Sequence, residues 1–333
     1  LPTRLVDVGT TAHIQPRLRI SADIDGIPPY LTLSHCWGEN IPKRLLQRDL
    51  TNMMTSIRFK ELSKSFQDAL IITKELGFQY IWIDALCIIQ DSDSDEDWRR
   101  ESAQMCQVYS NSACNLAATA SKDGSGGLFR PRDTRPLHPL RVRVGKSTHN
   151  VVDNQLWERE VERGPLNQRA WVCQERLLAP RILHFASTQV FWECNESLAC
   201  ESFPFGVPPC VESRSLTSID QALTVTYKSV LDESAHDLDM VSSKILDIVA
   251  HDLWNSIVER YTKAGLKRET DKLIAIGGVA EAMHRALGDS YLAGLWRRYF
   301  EYQLLWYCDD SQSSKPKQYL APSWSWASVN GKI

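Results

Sequence analysis

Ten consecutive residues, Tyr80-Ile-Trp-Ile-Asp-Ala-Leu-Cys-Ile-Ile89, are apolar except for Asp84. A half-buried strand alternates apolar and polar residues. A run without alternation reads as a strand covered on both faces, the environment of a parallel sheet. The flanking segments supply the cover. Ser65-Phe-Gln-Asp68 has the form of a capping box, Phe66, Ala69, Leu70, Thr73 and Leu76 follow at helical spacing, and Gly77 is a natural stop. Upstream, Tyr30-Leu-Thr-Leu-Ser-His35 reads as a strand. Downstream, a helix carrying Trp98, Glu101, Met105, Val108 and Tyr109 leads to a small-residue strand at 115–120, closed by Ser121-Lys-Asp-Gly-Ser-Gly-Gly127. This β-α-β-α-β order predicts a three-layer α/β core with a mainly parallel sheet over residues 20–130.

The pattern changes near residue 135. Leu140-Arg-Val-Arg-Val144 alternates as an antiparallel strand does, 167–178 reads as a short helix, and 181–185 with 189–193 read as a hairpin. Residues 201–237 read as an irregular loop. Beyond 238 an apolar stripe from Ile245 to Tyr261 predicts a helix, with two more at 271–287 and 292–307. The expected organisation is one domain over 1–200, made of the core at 20–130 and an added hairpin-and-helix segment at 135–200. The loop 201–237 and a helical region over 238–333 follow it.

Charge and cysteine usage narrow the class. With 38 basic against 41 acidic residues the net charge is −3, which argues against a general binder of nucleic acid or of a membrane, while leaving a local patch open. No apolar run reaches the roughly 18 residues that span a bilayer. The nine cysteines include no CxxC pair, and Cys194, Cys200 and Cys210 have no matching His pair, so no metal site is expected. Reduced, buried cysteines fit a cytoplasmic protein. Asp91, Asp93, Asp95, Glu96 and Asp97 read as a solvated loop with favourable charge at a helix N-terminus.

Three segments together resemble the fungal heterokaryon-incompatibility (HET) domain. The first is Tyr30-Leu-Thr-Leu-Ser-His-Cys-Trp-Gly38. The second runs from Phe66-Gln-Asp-Ala-Leu through 80–91 to Trp98-Arg-Arg-Glu101 and Met105-Cys-Gln-Val-Tyr109. The third is Arg169-Ala-Trp-Val-Cys-Gln-Glu-Arg-Leu-Leu178 with Phe191-Trp-Glu-Cys194. Leu1-Pro-Thr-Arg-Leu-Val-Asp-Val-Gly9, Ala293-Gly-Leu-Trp296 and Pro322-Ser-Trp-Ser-Trp-Ala-Ser328 are similar to elements that flank that domain, which usually continues further, so a chain ending at Ile333 is expected to be a fragment. The resemblance implies a role in fungal non-self recognition, in which incompatible fusion cells undergo programmed cell death. It also implies a Toll/interleukin-1-receptor (TIR)-like or flavodoxin-like fold. Some TIR domains hydrolyse NAD through a Glu on the helix after a sheet strand, so NAD, or another nucleotide, is the implied substrate, with no resident cofactor.

Glu101 is the candidate catalytic residue. It falls on the otherwise apolar helical face of Trp98, Met105 and Val108, where a carboxylate must be hydrogen-bonded, paired or raised in pKa. A glycosidase-type Glu needs such a setting. The alternative is a Glu paired with a buried Arg, such as Arg169 or Arg176. Asp84 interrupts the apolar strand near its carboxyl half, where open α/β sheets bind ligands, and either holds a ribose hydroxyl or receives loop amides. Ser34, His35 and Trp37 end another strand and are expected to reach the same edge, with Trp37 as a stacking surface or a core residue. Arg169 and Glu175 lie on one short helix, where they either bind phosphates or form an ion-pair network. His184 reads as a satisfied structural histidine.

Three functions remain open. One is a cytoplasmic cell-death effector that hydrolyses NAD or a nucleotide, with Glu101 catalytic and Asp84 and Arg169 positioning the ligand. Another is a non-enzymatic module that signals by self-association and contacts protein partners in incompatibility. A third is a diverged enzyme of secondary metabolism on the same scaffold. An enzyme would gather Glu101, Asp84 and an Arg in one concavity, whereas a module would bury them in ion pairs and expose an apolar patch.

Overall fold

The computed structural model describes residues 1–9, 14–39, 43–138, 140–211, 239–309 and 313–333. The chain divides into two compact units, Leu1–Asn167 with Ala179–Ser215, and Gln168–Leu178 with Leu216–Ile333. Of the loop expected at 201–237, residues 201–211 form turns and the remainder lies outside the described residues.

The first unit is built on an eight-stranded sheet. Its strands are β1 (Arg4–Asp7), β2 (Arg17–Ile20), β3 (Tyr30–Ser34), β4 (Tyr80–Trp82), β5 (Cys114–Ala117), β8 (Arg181–Phe185), β9 (Val190–Cys194) and β10 (Leu198–Cys200), while β6 (Leu140–Val144) and β7 (Ser147–Val151) form a separate hairpin. The order across the large sheet is β10-β9-β8-β5-β3-β4-β1-β2. Its four central strands, β8, β5, β3 and β4, are parallel. Antiparallel β9–β10 closes one edge and antiparallel β1–β2 the other. The parallel core expected from the β-α-β-α-β order is therefore present within a mixed sheet. The hairpin read at 181–193 forms, and its first strand extends the parallel core through Leu116↔Leu183.

Helices α1 (Leu50–Thr55) and α2 (Lys64–Glu75) lie between β3 and β4, and α3 (Asp84–Cys87) and α4 (Glu96–Ser110) between β4 and β5. The apolar run at 80–89 is thus not one strand. Its strand stops at Trp82, and the Asp84 carboxylate accepts the Ala85 amide at 2.6 Å and turns the chain into α3. All ten residues but Asp84 are nevertheless buried, so the run reports burial on both sides of a turn rather than strand length.

The start of α2 corrects a second expectation. Its N-cap is Ser63, whose hydroxyl accepts the Phe66 amide, and not Ser65. Asp68 is fully buried and does not accept the Ser65 amide, which donates to the Gly124 carbonyl at 3.0 Å. It accepts the amides of Leu128 (2.9 Å) and Phe129 (3.2 Å) and pairs with Lys64, so it pins the loop after β5. Asp68→Ala leaves two amides without an acceptor. It is expected to cost about 3 kcal/mol in urea unfolding, with Asp68→Asn much milder.

In the second unit, α5 (Ala170–Leu178) packs against α6 (Asp239–Lys263) and α7 (Gly277–Leu287). The stripe expected from Ile245 is visible from Ala250 on, with Leu253, Trp254, Ile257, Val258 and Tyr261 buried; Ile245, Ile248 and Val249 lie outside the described side chains. The helix expected at 292–307 does not form. Instead β11 (Tyr291–Leu292) and β12 (Leu295–Trp296) make a hairpin, followed by one helical turn, α8 (Phe300–Gln303). Gly294 is the reason. Its φ is +103°, and its carbonyl accepts both the Trp254 indole at 2.9 Å and the Trp326 indole at 2.8 Å. A Cβ there would lie 2.6 Å from Trp326 Nε1. Ala293-Gly-Leu-Trp296 and Ser323-Trp-Ser-Trp326 are thus two halves of one contact.

Lys272, buried beside the Trp326 ring and donating to the Val329 carbonyl, has its pKa pushed down to about 8 by burial. The unfolded chain, with lysine near ~10.4, binds the extra proton between those values. Stability therefore rises by about 2 kcal/mol between pH 8 and pH 10. Above pH 10 it falls again, because burial raises Tyr30, Tyr261 and Tyr291 and only the unfolded tyrosines ionise. Unfolding of Lys272→Met across this range should lack the rise.

Candidate functional site

The parallel strands change winding direction between β3 and β5. The chain leaves β3 through α2 to reach β4 on one side, and leaves β4 through α4 to reach β5 on the other. Open α/β sheets bind ligands outside the carboxyl ends of strands at such a point. The loops that flank it are 34–38 after β3 and 118–127 after β5; Asp84 follows β4, one strand away on the other side of β3.

Alternation along β3 sorts them. Thr32 and Ser34 share a face and bond Asn115 of β5: Thr32 Oγ1 lies 3.0 Å from Asn115 Oδ1, and Asn115 Nδ2 donates to Ser34 Oγ at 2.9 Å. Ser34 is thereby absorbed into a buried cross-strand ladder. His35 and Trp37 fall on the other face and stack at 6.2 Å and 12°, with Phe66 edge-on to His35 at 4.9 Å. The Trp37 indole donates to Asp84 Oδ2 at 2.9 Å, and His35 Nδ1 lies 3.6 Å from Asp84 Oδ1. Two strand ends thus bring His35, Trp37 and Asp84 together. His35 is buried, Trp37 is half-buried and the Asp84 side chain is 28% exposed. Gly38, at φ +69°, lets the loop after β5 approach, since a Cβ there would sit 2.4 Å from Asp123 Cβ.

Glu101 belongs to a different cluster. On α4 its Oε1 faces Arg4 of β1 at 3.7 Å and Arg100 at 3.3 Å, and its side chain is 1% exposed. Its partners are Arg4 and Arg100 rather than Arg169 or Arg176. Asp97, one helical turn earlier on the same face, pairs with both arginines and accepts the Ile89 amide at 2.7 Å. Arg4 also donates to the Cys87 carbonyl at 2.7 Å. Asp97 is therefore not part of a solvated acidic loop, although Asp91, Asp93, Asp95 and Glu96 are exposed or nearly so. Two carboxylates and two guanidiniums make a neutral, four-membered knot joining the edge of the sheet to α4.

Arg169 and Glu175 lie in the second unit. The Arg169 backbone bridges Gly265, and Glu175 and Arg176 are buried on α5, where Gln174 accepts the Gly278 amide and Trp171 donates to Asp271 at 3.4 Å. His184 is a buried structural histidine, within 2.7 Å of Glu193 and 3.1 Å of Thr119. Sequence reasoning passed over Arg4, Asp97 and Glu193. The spacing of Asp97 and Glu101, four residues apart on one helix, is a signal that finds the second of these.

All nine cysteines are thiols, and burial raises Cys87 and Cys114 to about 12. Among the described residues no cluster of His, Cys, Asp or Glu is arranged to hold a metal ion, and no helix is long and apolar enough to cross a membrane. Residues 30–175, from β3 into α5, match the family described as heterokaryon incompatibility protein (HET). No curated protein and no solved structure matches the chain.

Proposed function

We propose, for a chain that carries a heterokaryon-incompatibility (HET) domain over residues 30–175, a role in fungal non-self recognition as a cytoplasmic cell-death effector. Its HET domain binds a nucleotide, NAD first among those to test, at the carboxyl edge of the parallel strands. The observation that carries this reading is Asp84. Its carboxylate is held by Trp37 and by its own helix amide at the carboxyl edge of the parallel strands, one strand from the switch of winding direction, yet keeps solvent access. Taken in chain order, the parallel strands stand second, first, third, fourth, the arrangement of flavodoxin-like sheets, which supports a doubly wound, TIR-like ancestry.

The chemistry follows from the side chains. Asp84 has lone pairs left to accept ribose hydroxyls, and Trp37 offers a ring edge and face to a base. In NAD hydrolysis the glycosidic C–N bond breaks, nicotinamide leaves with the bonding pair, and water adds to the sugar carbon and loses a proton. A fixed carboxylate stabilises the oxocarbenium-like centre. Asp84, rather than the ion-paired Glu101, fills that role here.

The test is nicotinamide release by the purified chain over a range of protein concentrations, alongside killing on expression in fungal cells. Asp84→Asn is expected to fold, to release no nicotinamide and to spare the cells. A wild type that kills without consuming NAD at any concentration replaces this reading with the self-association module. Exposed Tyr302, Leu305, Tyr307 and Tyr319 in the second unit favour that alternative.

A further inference from the structure

The β6–β7 hairpin stands apart from the large sheet, and all ten of its strand residues are exposed. A two-stranded ribbon gains little from its own pairing, so exposed valines and leucine on it need another reason. Leu140, Val142 and Val144 alternate onto one face of β6, and the register Leu140↔Val151 adds Val151 to that face. Leu140 is 65% and Val144 64% exposed. The opposite face carries Arg141 and Arg143, and the turn carries Lys146. Arg143 Nε donates to the Gly145 carbonyl at 3.3 Å, which folds its guanidinium toward the turn.

Charge says what covers this face. Residues 130–151 hold six cations (Arg130, Arg132, Arg135, Arg141, Arg143, Lys146) and one acid (Asp133), in a chain of net charge −3. Arg132 and Arg135 are paired with Glu201 and Asp133. Arg141 and Lys146 form no ion pair among the described residues. A second copy would bring like charges together. A nucleic acid would engage the cations and leave the valines in water. An anionic lipid surface takes both, the phosphates meeting the cations and the acyl boundary the apolar face.

We propose that the β6–β7 hairpin docks the first unit on an anionic membrane surface, turn first, with Val144 and Val142 entering the interface and Arg141, Arg143 and Lys146 at the headgroup phosphates. The contact is peripheral and does not depend on the nucleotide reading.

The experiment is co-sedimentation of the full chain with phosphatidylcholine vesicles, with and without about one-third phosphatidylserine. Binding is expected only with phosphatidylserine, falling as salt is raised. At about 1 kcal/mol per surface cation, the combined Arg141→Gln, Arg143→Gln and Lys146→Gln variant should bind roughly a hundredfold more weakly. Val142→Ser with Val144→Ser should lose about tenfold or more. All five positions are exposed, so unchanged thermal melting is expected of both variants. Absent binding, or equal binding to both vesicles, overturns the proposal. So does binding to duplex DNA but not to vesicles, or a dimer abolished by the valine variant without vesicle binding.

Discussion

Replacing Arg4 by Met is expected to lower the stability of the first unit by about 3–5 kcal/mol in urea unfolding. Arg4 is buried, donates to the Cys87 carbonyl, and shares Asp97 and Glu101 with Arg100. Without it two buried carboxylates depend on one half-exposed guanidinium. Arg4→Lys keeps the charge but not the fork that reaches a carbonyl and a carboxylate at once, so it should fall between. A loss under 1 kcal/mol would show that the knot is dispensable.

Glu193→Ala should cost about 3 kcal/mol, because it removes the 2.7 Å partner of buried His184 and empties the space of a buried side chain. Glu193→Gln preserves the shape and an amide partner for the imidazole, and should lose less than half as much. Glu193 lies opposite Ile182 in the β8–β9 register, diagonal to His184 on the same face. It belongs to Phe191-Trp-Glu-Cys194, so that motif secures the strand that extends the parallel core.

Local periodicity made the central parallel strands and the helices between them legible, since each of these elements buries one face or two. The edges were not. Arg4–Asp7 is four residues long and fully buried, too short for any period to emerge. Glu101 announced that it needed a cation, because a carboxylate on an apolar helical face demands one; one of its two, Arg100, is its neighbour in sequence, but the buried one, Arg4, came from ninety-seven residues away, a distance no local pattern encodes. The length of β4 was misread for a related reason. Burial on both faces removes the alternation that would distinguish a strand from a tight turn followed by a short helix.

At the candidate site, the convergence of His35, Trp37 and Asp84 followed from where the strands end. The loss of Ser34 to Asn115 followed from which face it occupies. Both are consequences of topology, and the second also needs the neighbour strand's sequence in register.

The central claim is that the accessible carboxylate at the strand edge is Asp84, with Glu101 held in a structural ion-pair knot. Calorimetric titration of NAD into wild type, Asp84→Asn and Glu101→Gln tests it most directly, with melting curves for all three. Binding by wild type and by folded Glu101→Gln, and its loss in folded Asp84→Asn, is the predicted result. Binding that survives Asp84→Asn and vanishes in a folded Glu101→Gln would contradict it.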